Sequence, residues 1–278
     1  MGSPSRYARS KGWRSPLIEW LGHDAWLRPY NTVIAGLNSP EQALSSKVMV
    51  YHGMGLIVAF DKGGVDEAAA LVGKLCGVVD GFKVGVPFLL ANGAASAGAL
   101  REKCPSALWV ADLKLADIGY VMGLTASIVA PFFDAVIAHG FVGYEGGLDE
   151  LKRLLDEKDR KLIVVASMSH PGAAKTYDKV LGEVLEAIEA AKPWGVVAPA
   201  TRPSIIRLVR ERLGNTVKIL APGVGAQGAR PGEALCAGAD YEIVGRAITG
   251  SENPVEAARR IIEEQRKTLS SCRGAGQP

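Results

Sequence analysis

From residue 55 onward, eight short apolar runs alternate with eight longer stretches rich in Ala, Leu, Glu and Lys. The apolar runs fall at 55–60, 79–84, 107–113, 134–138, 161–166, 194–198, 217–221 and 240–244. The longer stretches lie near 64–77, 88–103, 117–131, 148–158, 176–191, 203–213, 229–237 and 254–269. Such alternation is the pattern of a parallel sheet with crossover helices. Glu183–Ala191 shows the helical period well, and Pro203 suits the first turn of a helix. Eight regular βα units predict a closed (β/α)8 barrel of the TIM type, an α/β fold in a single domain. A doubly wound open sheet is the alternative, and the number of repeats favours closure.

The 278 residues suit one such barrel, and 48% hydrophobic with 22% charged residues suits a globular protein. There is no run of 18 apolar residues, so no transmembrane helix is indicated. Residues 1–53 differ from the rest. They carry Trp13, Trp20 and Trp26 among the five tryptophans and show no sustained helical or strand period. They also hold six basic residues against three acidic ones, which is the whole net charge of +3. The remainder is formally neutral, which argues against nucleic acid as a partner. With no apolar core of 7–15 residues, the segment is a poor signal peptide. It reads as an extension, with Met54 or Met49 as the natural start. A basic arm or an ordered cap on the barrel are the alternatives. The barrel is expected to occupy 54–270, with a tail over 271–278. Cys76, Cys104, Cys236 and Cys272 are scattered, with no C-x-x-C. They predict neither a zinc site nor a disulfide framework, which suits a reducing cytoplasm.

In such barrels the chemistry sits at the C-terminal strand ends. Those positions read Asp61, Lys83, Asp112 with Lys114, His139, Ser167 with Ser169, Thr201 with Arg202, Pro222 and Arg246. One polar strand end means little; this many converging on one rim are hard to explain by packing. Asp112 and Lys114, two apart in a strand, should project together, with Asp117 just beyond. That cluster is costly to bury unless its charges pair or do chemistry. After the seventh and eighth strands come Pro222-Gly223-Val224-Gly225-Ala226-Gln227-Gly228 and Val244-Gly245-Arg246. Glycines let backbone N–H groups approach an anion, and an arginine adds a forked permanent cation, so these loops predict a phosphate site. No His/Asp/Glu set has convincing metal spacing. His139 reads as a satisfied histidine near the rim, and His170 as a loop-positioning residue. Glu145 and Asp149 read as decorating or capping a helix.

From about 54 to 270 the chain resembles the archaeal-type orotidine 5′-monophosphate decarboxylases. The resemblance rests on Asp112-x-Lys114-x-x-Asp117-Ile118, Met168-Ser169-His170-Pro171-Gly172-Ala173, Thr201-Arg202-Pro203, the 222–228 loop and Val244-Gly245-Arg246. The first motif alone is shared with keto-gulonate-phosphate decarboxylases and hexulose-phosphate synthases; the Ser-His-Pro-Gly-Ala and glycine-loop stretches are more specific. The resemblance implies a cytoplasmic, cofactor-free and metal-free enzyme that turns orotidine 5′-monophosphate into UMP and CO2, the last step of UMP synthesis. It implies a homodimer in which Asp117 and Ile118 serve the neighbouring site. It makes Lys114 the acid that protonates C6 and sets Asp112 against the substrate carboxylate. Asp61 and Lys83 hold the ribose, Ser169 the pyrimidine edge, Gln227 base and phosphate, and Gly245 with Arg246 the phosphate. Pro222 and Gly223 line the same pocket, and 170–176 is a candidate lid. One departure is Val121, where the family usually has Thr; weaker substrate binding is the expectation. A Mg2+-dependent sugar-phosphate enzyme of the same barrel group and a silent UMP-binding relative are the competing readings.

Overall fold

The computed structural model describes residues 55–274. The readings made for residues 1–53 lie outside the described residues. The strands are β1 (Leu56–Phe60), β2 (Gly81–Gly85), β3 (Leu108–Leu115), β4 (Ala135–His139), β5 (Lys161–Val165), β6 (Gly195–Val197), β7 (Lys218–Pro222) and β8 (Tyr241–Val244). All pair in parallel in chain order, and β8 returns to β1 through Leu56↔Glu242, Ile57↔Ile243 and Val58↔Val244, closing the barrel. Strands covered on both faces must be apolar throughout, which is why β1, β5 and β6 are near-continuous Val, Ile and Leu.

The helices wrap the outside: α1 (Val65–Leu75), α2 (Val86–Asn92), α3 (Ser96–Lys103), α4 (Gly119–Val129), α5 (Asp149–Glu157), α6 (Leu181–Ala191), α7 (Pro203–Leu213), α8 (Glu233–Cys236), α9 (Arg246–Thr249) and α10 (Pro254–Gly274). Two departures from the sequence reading have local causes. The helix expected over 88–103 is two helices, broken at Gly93, whose φ of 77° ends α2 in the left-handed region open to glycine. The helix expected over 176–191 opens with a 3-10 turn, Tyr177–Val180, and becomes α-helical only at Leu181. Trp109, Phe82, Phe88 and Phe133 are fully buried between strands and helices, with the Phe82 and Trp109 ring centroids 4.9 Å apart.

The N-terminal end of the barrel is held by a repeated device. Asp80, Asp134 and Asp240 each stand just before an even-numbered strand. Each accepts a backbone N–H from a neighbouring odd-numbered strand: Leu56 at 2.8 Å, Trp109 at 2.9 Å and Ile219 at 2.9 Å. These carboxylates fasten neighbouring strands at this end and leave the opposite rim for chemistry. Glu242, fully buried on β8, accepts from Gly232 N and Ala234 N and from Gln265 Nε2, tying α10 to the barrel. Its burial pushes its carboxyl above the usual range.

The cysteine expectation is corrected. Cys76 pairs with Cys104 and Cys236 with Cys272, at Cα–Cα separations of 5.4 and 6.2 Å. The first bond joins the ends of α1 and α3; the second joins α8 to the last turns of α10. Closing loops of 28 and 36 residues is worth about 3.5 kcal/mol each on a chain-entropy account. Paired, the cysteines no longer argue for a reducing compartment. No helix among the described residues is long and apolar enough to cross a membrane.

Candidate active site

A cavity of about 670 Å3 opens at the C-terminal ends of the strands, a size that suits a small-molecule ligand. Asp61, Lys83, Asp112, Lys114, Ser169, Pro222, Gly223, Gln227, Gly245 and Arg246 all line it. Asp117 and Ile118 do not. Asp117 is exposed beyond β3 and accepts its neighbour's backbone, Ile118 N, at 2.8 Å, while Ile118 is 62% exposed.

The cavity floor carries a chain of alternating charge. Lys83 Nζ lies 2.7 Å from Asp112 Oδ2 and 3.5 Å from Asp61 Oδ1. Lys114 Nζ donates to both oxygens of Asp112, at 2.8 and 2.7 Å. Lys83 and Asp112 are buried, whereas the Lys114 side chain is 40% exposed and lines the cavity. Burial alone would lower the Lys83 ammonium, but the Asp112 and Asp61 charges outweigh it and hold it above its ordinary value. Burial alone would raise the Asp112 carboxyl, but Lys83 and Lys114 outweigh it and hold it below.

Simple strand alternation brings Asp112 and Lys114 to one side, but it does not explain the geometry. Lys114 has φ of 46°, and the pairing of β3 with β4 shifts register between Ala111 and Leu115. Such a break in register re-aims a side chain at a barrel rim, as a bulge does. A lysine in the left-handed region costs about 1–3 kcal/mol and is held there by its surroundings, a pattern found at functional sites.

Gly85 is a site residue that sequence reading missed. A Cβ there would land on Asp61 Oδ1. Glycine at the end of β2 is thus what lets the Asp61 carboxylate reach Lys83. The Asp61 side chain is 61% exposed and can swing away, so Gly85→Ala should fold normally yet separate Asp61 from Lys83. We expect its KM for substrate to rise about as far as that of Asp61→Ala, by roughly tenfold, the worth of one charge-assisted hydrogen bond. Steady-state kinetics beside a thermal melt would check this; an unchanged KM would sink it. Lys62 and Thr249, which also line the cavity, were missed as well; Lys62 adjoins Asp61, and Thr249 lies three residues past Arg246.

The Thr201-Arg202 pair does not enter the cavity. It holds the chain that does. Thr201 Oγ1 donates to Ser169 O at 3.0 Å. Arg202 Nη2 donates to Met168 O at 2.7 Å and to Ser167 Oγ at 2.8 Å, and Ser167 Oγ donates to Asp178 Oδ1 at 2.5 Å. The exposed Arg246, in the cavity lining, begins α9 with no ion-pair partner among the described residues, which leaves its guanidinium available to an anion. Among the described residues no group of three His, Cys, Asp or Glu side chains could hold a metal ion.

Residues 54–261 match the model of the orotidine 5′-phosphate decarboxylase / HUMPS family. The orotidine 5′-phosphate decarboxylase of Aeropyrum pernix is 51% identical over 213 residues, covering 75% of this chain and 87% of that protein. That of Thermococcus kodakarensis is 40% identical over 210 residues, covering 75% and 95%. Among solved structures, orotidine 5′-monophosphate decarboxylase from Methanocaldococcus jannaschii, complexed with inhibitor BMP, superposes with a TM-score of 0.72 at 33% identity, covering 77% of this chain and 99% of that one. The enzyme from Metallosphaera sedula gives 0.70 at 39% identity, covering 77% and 99%.

Proposed function

Since the chain belongs to the orotidine 5′-phosphate decarboxylase / HUMPS family, we propose that it converts orotidine 5′-monophosphate to UMP and CO2 through the Asp61–Lys83–Asp112–Lys114 charge chain, without a cofactor. The observation that carries this is that chain itself, at the floor of a cavity that Arg246 also lines. The C6–carboxyl bond breaks, CO2 leaves, and the electron pair stays on C6. No ring carbonyl is placed to delocalise that pair, so electrostatics must do most of the stabilising. The Lys114 ammonium, fixed against Asp112, attracts the developing anion and then passes a proton from Nζ to C6.

Asp112 adds repulsion against the substrate carboxylate. Two unit charges about 4 Å apart at an effective dielectric of 20 interact by about 4 kcal/mol, at most about three decades in rate if relieved in the transition state. Ser169 bonds the pyrimidine edge, Gln227 bridges base and phosphate, and Gly245 with Arg246 binds the phosphate. Pro222 and Gly223 wall the pocket. Binding energy from the phosphate, remote from C6, orders the loops around the ring.

Asp117 and Ile118 would act in the site of a second copy. Supporting this is the apolar face beside them: Tyr120, Leu124 and Ile128 are exposed on α4 by 66%, 54% and 65%. A monomer seldom leaves so much contiguous apolar surface to water. Val121, in the same face, would leave the partner's ribose without the hydroxyl that threonine supplies.

The test is a decarboxylation assay in EDTA. We expect orotidine 5′-monophosphate to be consumed, with falling absorbance of the orotate ring and formation of UMP. Turnover only of a sugar phosphate, and only with added Mg2+, would replace this reading with the other branch of the family. Binding of UMP without release of CO2 would mark a silent relative.

A further inference from the structure

His139 and Tyr177 stand beside the cavity and take no part in the mechanism above. His139 is the last residue of β4 and is the register partner of Val165, the last residue of β5. Tyr177 lies eight residues past Ser169, at the far foot of the segment carrying Ser169 and the 170–176 loop, and is only 8% exposed. Its Oη donates to Val165 O at 2.9 Å and stands 3.0 Å from His139 Nδ1. One tyrosine hydroxyl therefore bridges two adjacent strand ends.

The direction of these bonds follows from counting protons. Burial pushes the Tyr177 phenol up to about 12, with the nearby Gly140 and Phe141 backbone opposing it, so at neutral pH it keeps one proton. Val165 O takes that proton. The phenol oxygen can then only accept from His139, which must carry its proton on Nδ1. Phe141 stacks on the imidazole with centroids 4.8 Å apart and meets the Tyr177 ring edge-on at 5.6 Å, so the histidine has little freedom to turn.

We infer that His139 and Tyr177 are a positioning pair that pins the foot of the 169–177 segment to the barrel rim, so that Ser169 is presented to the substrate by a loop already fastened at its far end. Arg202 ties the residues that flank this segment, Ser167, Met168 and Asp178. The Tyr177 pin adds a second fastening that ends on β4 and β5. Loss of this pin leaves the charge chain intact, but the substrate must then order the loop at the expense of its own binding energy. The effect belongs in KM, not in kcat.

The inference rests on the reading of Ser169 as a substrate contact, so its test has one arm independent of activity. Trypsin nicking after the exposed Lys175 of substrate-free protein reports the loop directly. Kinetics with orotidine 5′-monophosphate report its consequence. For Tyr177→Phe and His139→Leu we expect nicking about fivefold faster and KM about tenfold higher, with kcat within about threefold of wild type. His139→Asn keeps an amide N–H near the position of Nδ1 and should stay within about twofold of wild type in both arms. The double variant His139→Leu/Tyr177→Phe should be no worse than Tyr177→Phe alone, because Tyr177→Phe already removes the bond that His139→Leu removes. The pairing is overturned if Tyr177→Phe leaves nicking and KM unchanged, if it lowers kcat at constant KM, or if His139→Asn fails as badly as His139→Leu. A wild type that does not decarboxylate would sink the functional reading, while the nicking series would still decide the pin.

Discussion

Lys114→Ala is expected to lower kcat for decarboxylation by at least about 10^4-fold, since it removes a general acid worth about 10^2–10^4 and a fixed charge worth about 10^2–10^3. The fold should survive. Asp112 keeps Lys83 at 2.7 Å, so no buried charge is orphaned, and the lost side chain is 40% exposed. UMP affinity should move by less than about tenfold, because Arg246, Gln227 and Ser169 remain in place. The absorbance assay in EDTA and calorimetric titration with UMP separate the two quantities. Lys114→Arg adds a finer division. Arginine keeps a cation near Asp112 but does not give up its proton at neutral pH. If that variant recovered activity to within about tenfold of wild type, the fixed charge and not proton donation would be the main contribution of Lys114. A Lys114→Ala enzyme as active as wild type would remove this residue from the mechanism.

The barrel was legible because its signal is collective. Each strand buried on both faces must be apolar, and eight such runs in register with eight helical stretches leave few other closed arrangements. What escaped were features set by a single backbone dihedral or by distance in space. Gly93 breaks a helix that its neighbours would have continued. The register shift at Lys114 is invisible in Asp-Leu-Lys, which reads as ordinary alternation. Cys76 and Cys104 are 28 residues apart in sequence and meet only because α1 and α3 end at the same place on the barrel.

The site divides in the same way. Charged and polar strand ends could be read one by one, and the cavity gathers those named for the chain's own site. The role of Gly85 could not be read, since a glycine in a strand announces nothing until the Asp61 carboxylate is seen where its side chain would be. Nor could Arg202. Its strand-end position suggested the cavity, whereas the fold turns it onto Met168 and Ser167. Tyr177 lay inside a stretch read as helix, and His139 read as a satisfied rim histidine, with nothing in the sequence to name its partner. Their pairing depends on β4 and β5 ending level.

Asp112→Asn should be the most destabilising change at the site. It leaves the buried Lys83 ammonium with only the exposed Asp61 carboxylate, 3.5 Å away, and breaking a buried pair costs about 3–5 kcal/mol. For a domain of this size that corresponds to a Tm lower by about 6–20 °C. The pH dependence of this gap is diagnostic. In the wild type the Asp112 carboxyl is held below its ordinary 3.8, so its contribution is present above that value and is lost as pH falls through the depressed one. Lys83 is held above its ordinary 10.5, so its contribution is present below that value and is lost as pH rises through the raised one. In the variant, burial dominates Lys83 and lowers it, so rising pH discharges the buried ammonium and restores stability. The difference in Tm between wild type and Asp112→Asn should therefore be widest near neutrality and shrink toward both acid and alkali. Melts across the pH range would show it. A gap that is constant with pH would mean that Asp112 stabilises by packing, and that the charge chain is not what holds the floor of the cavity together.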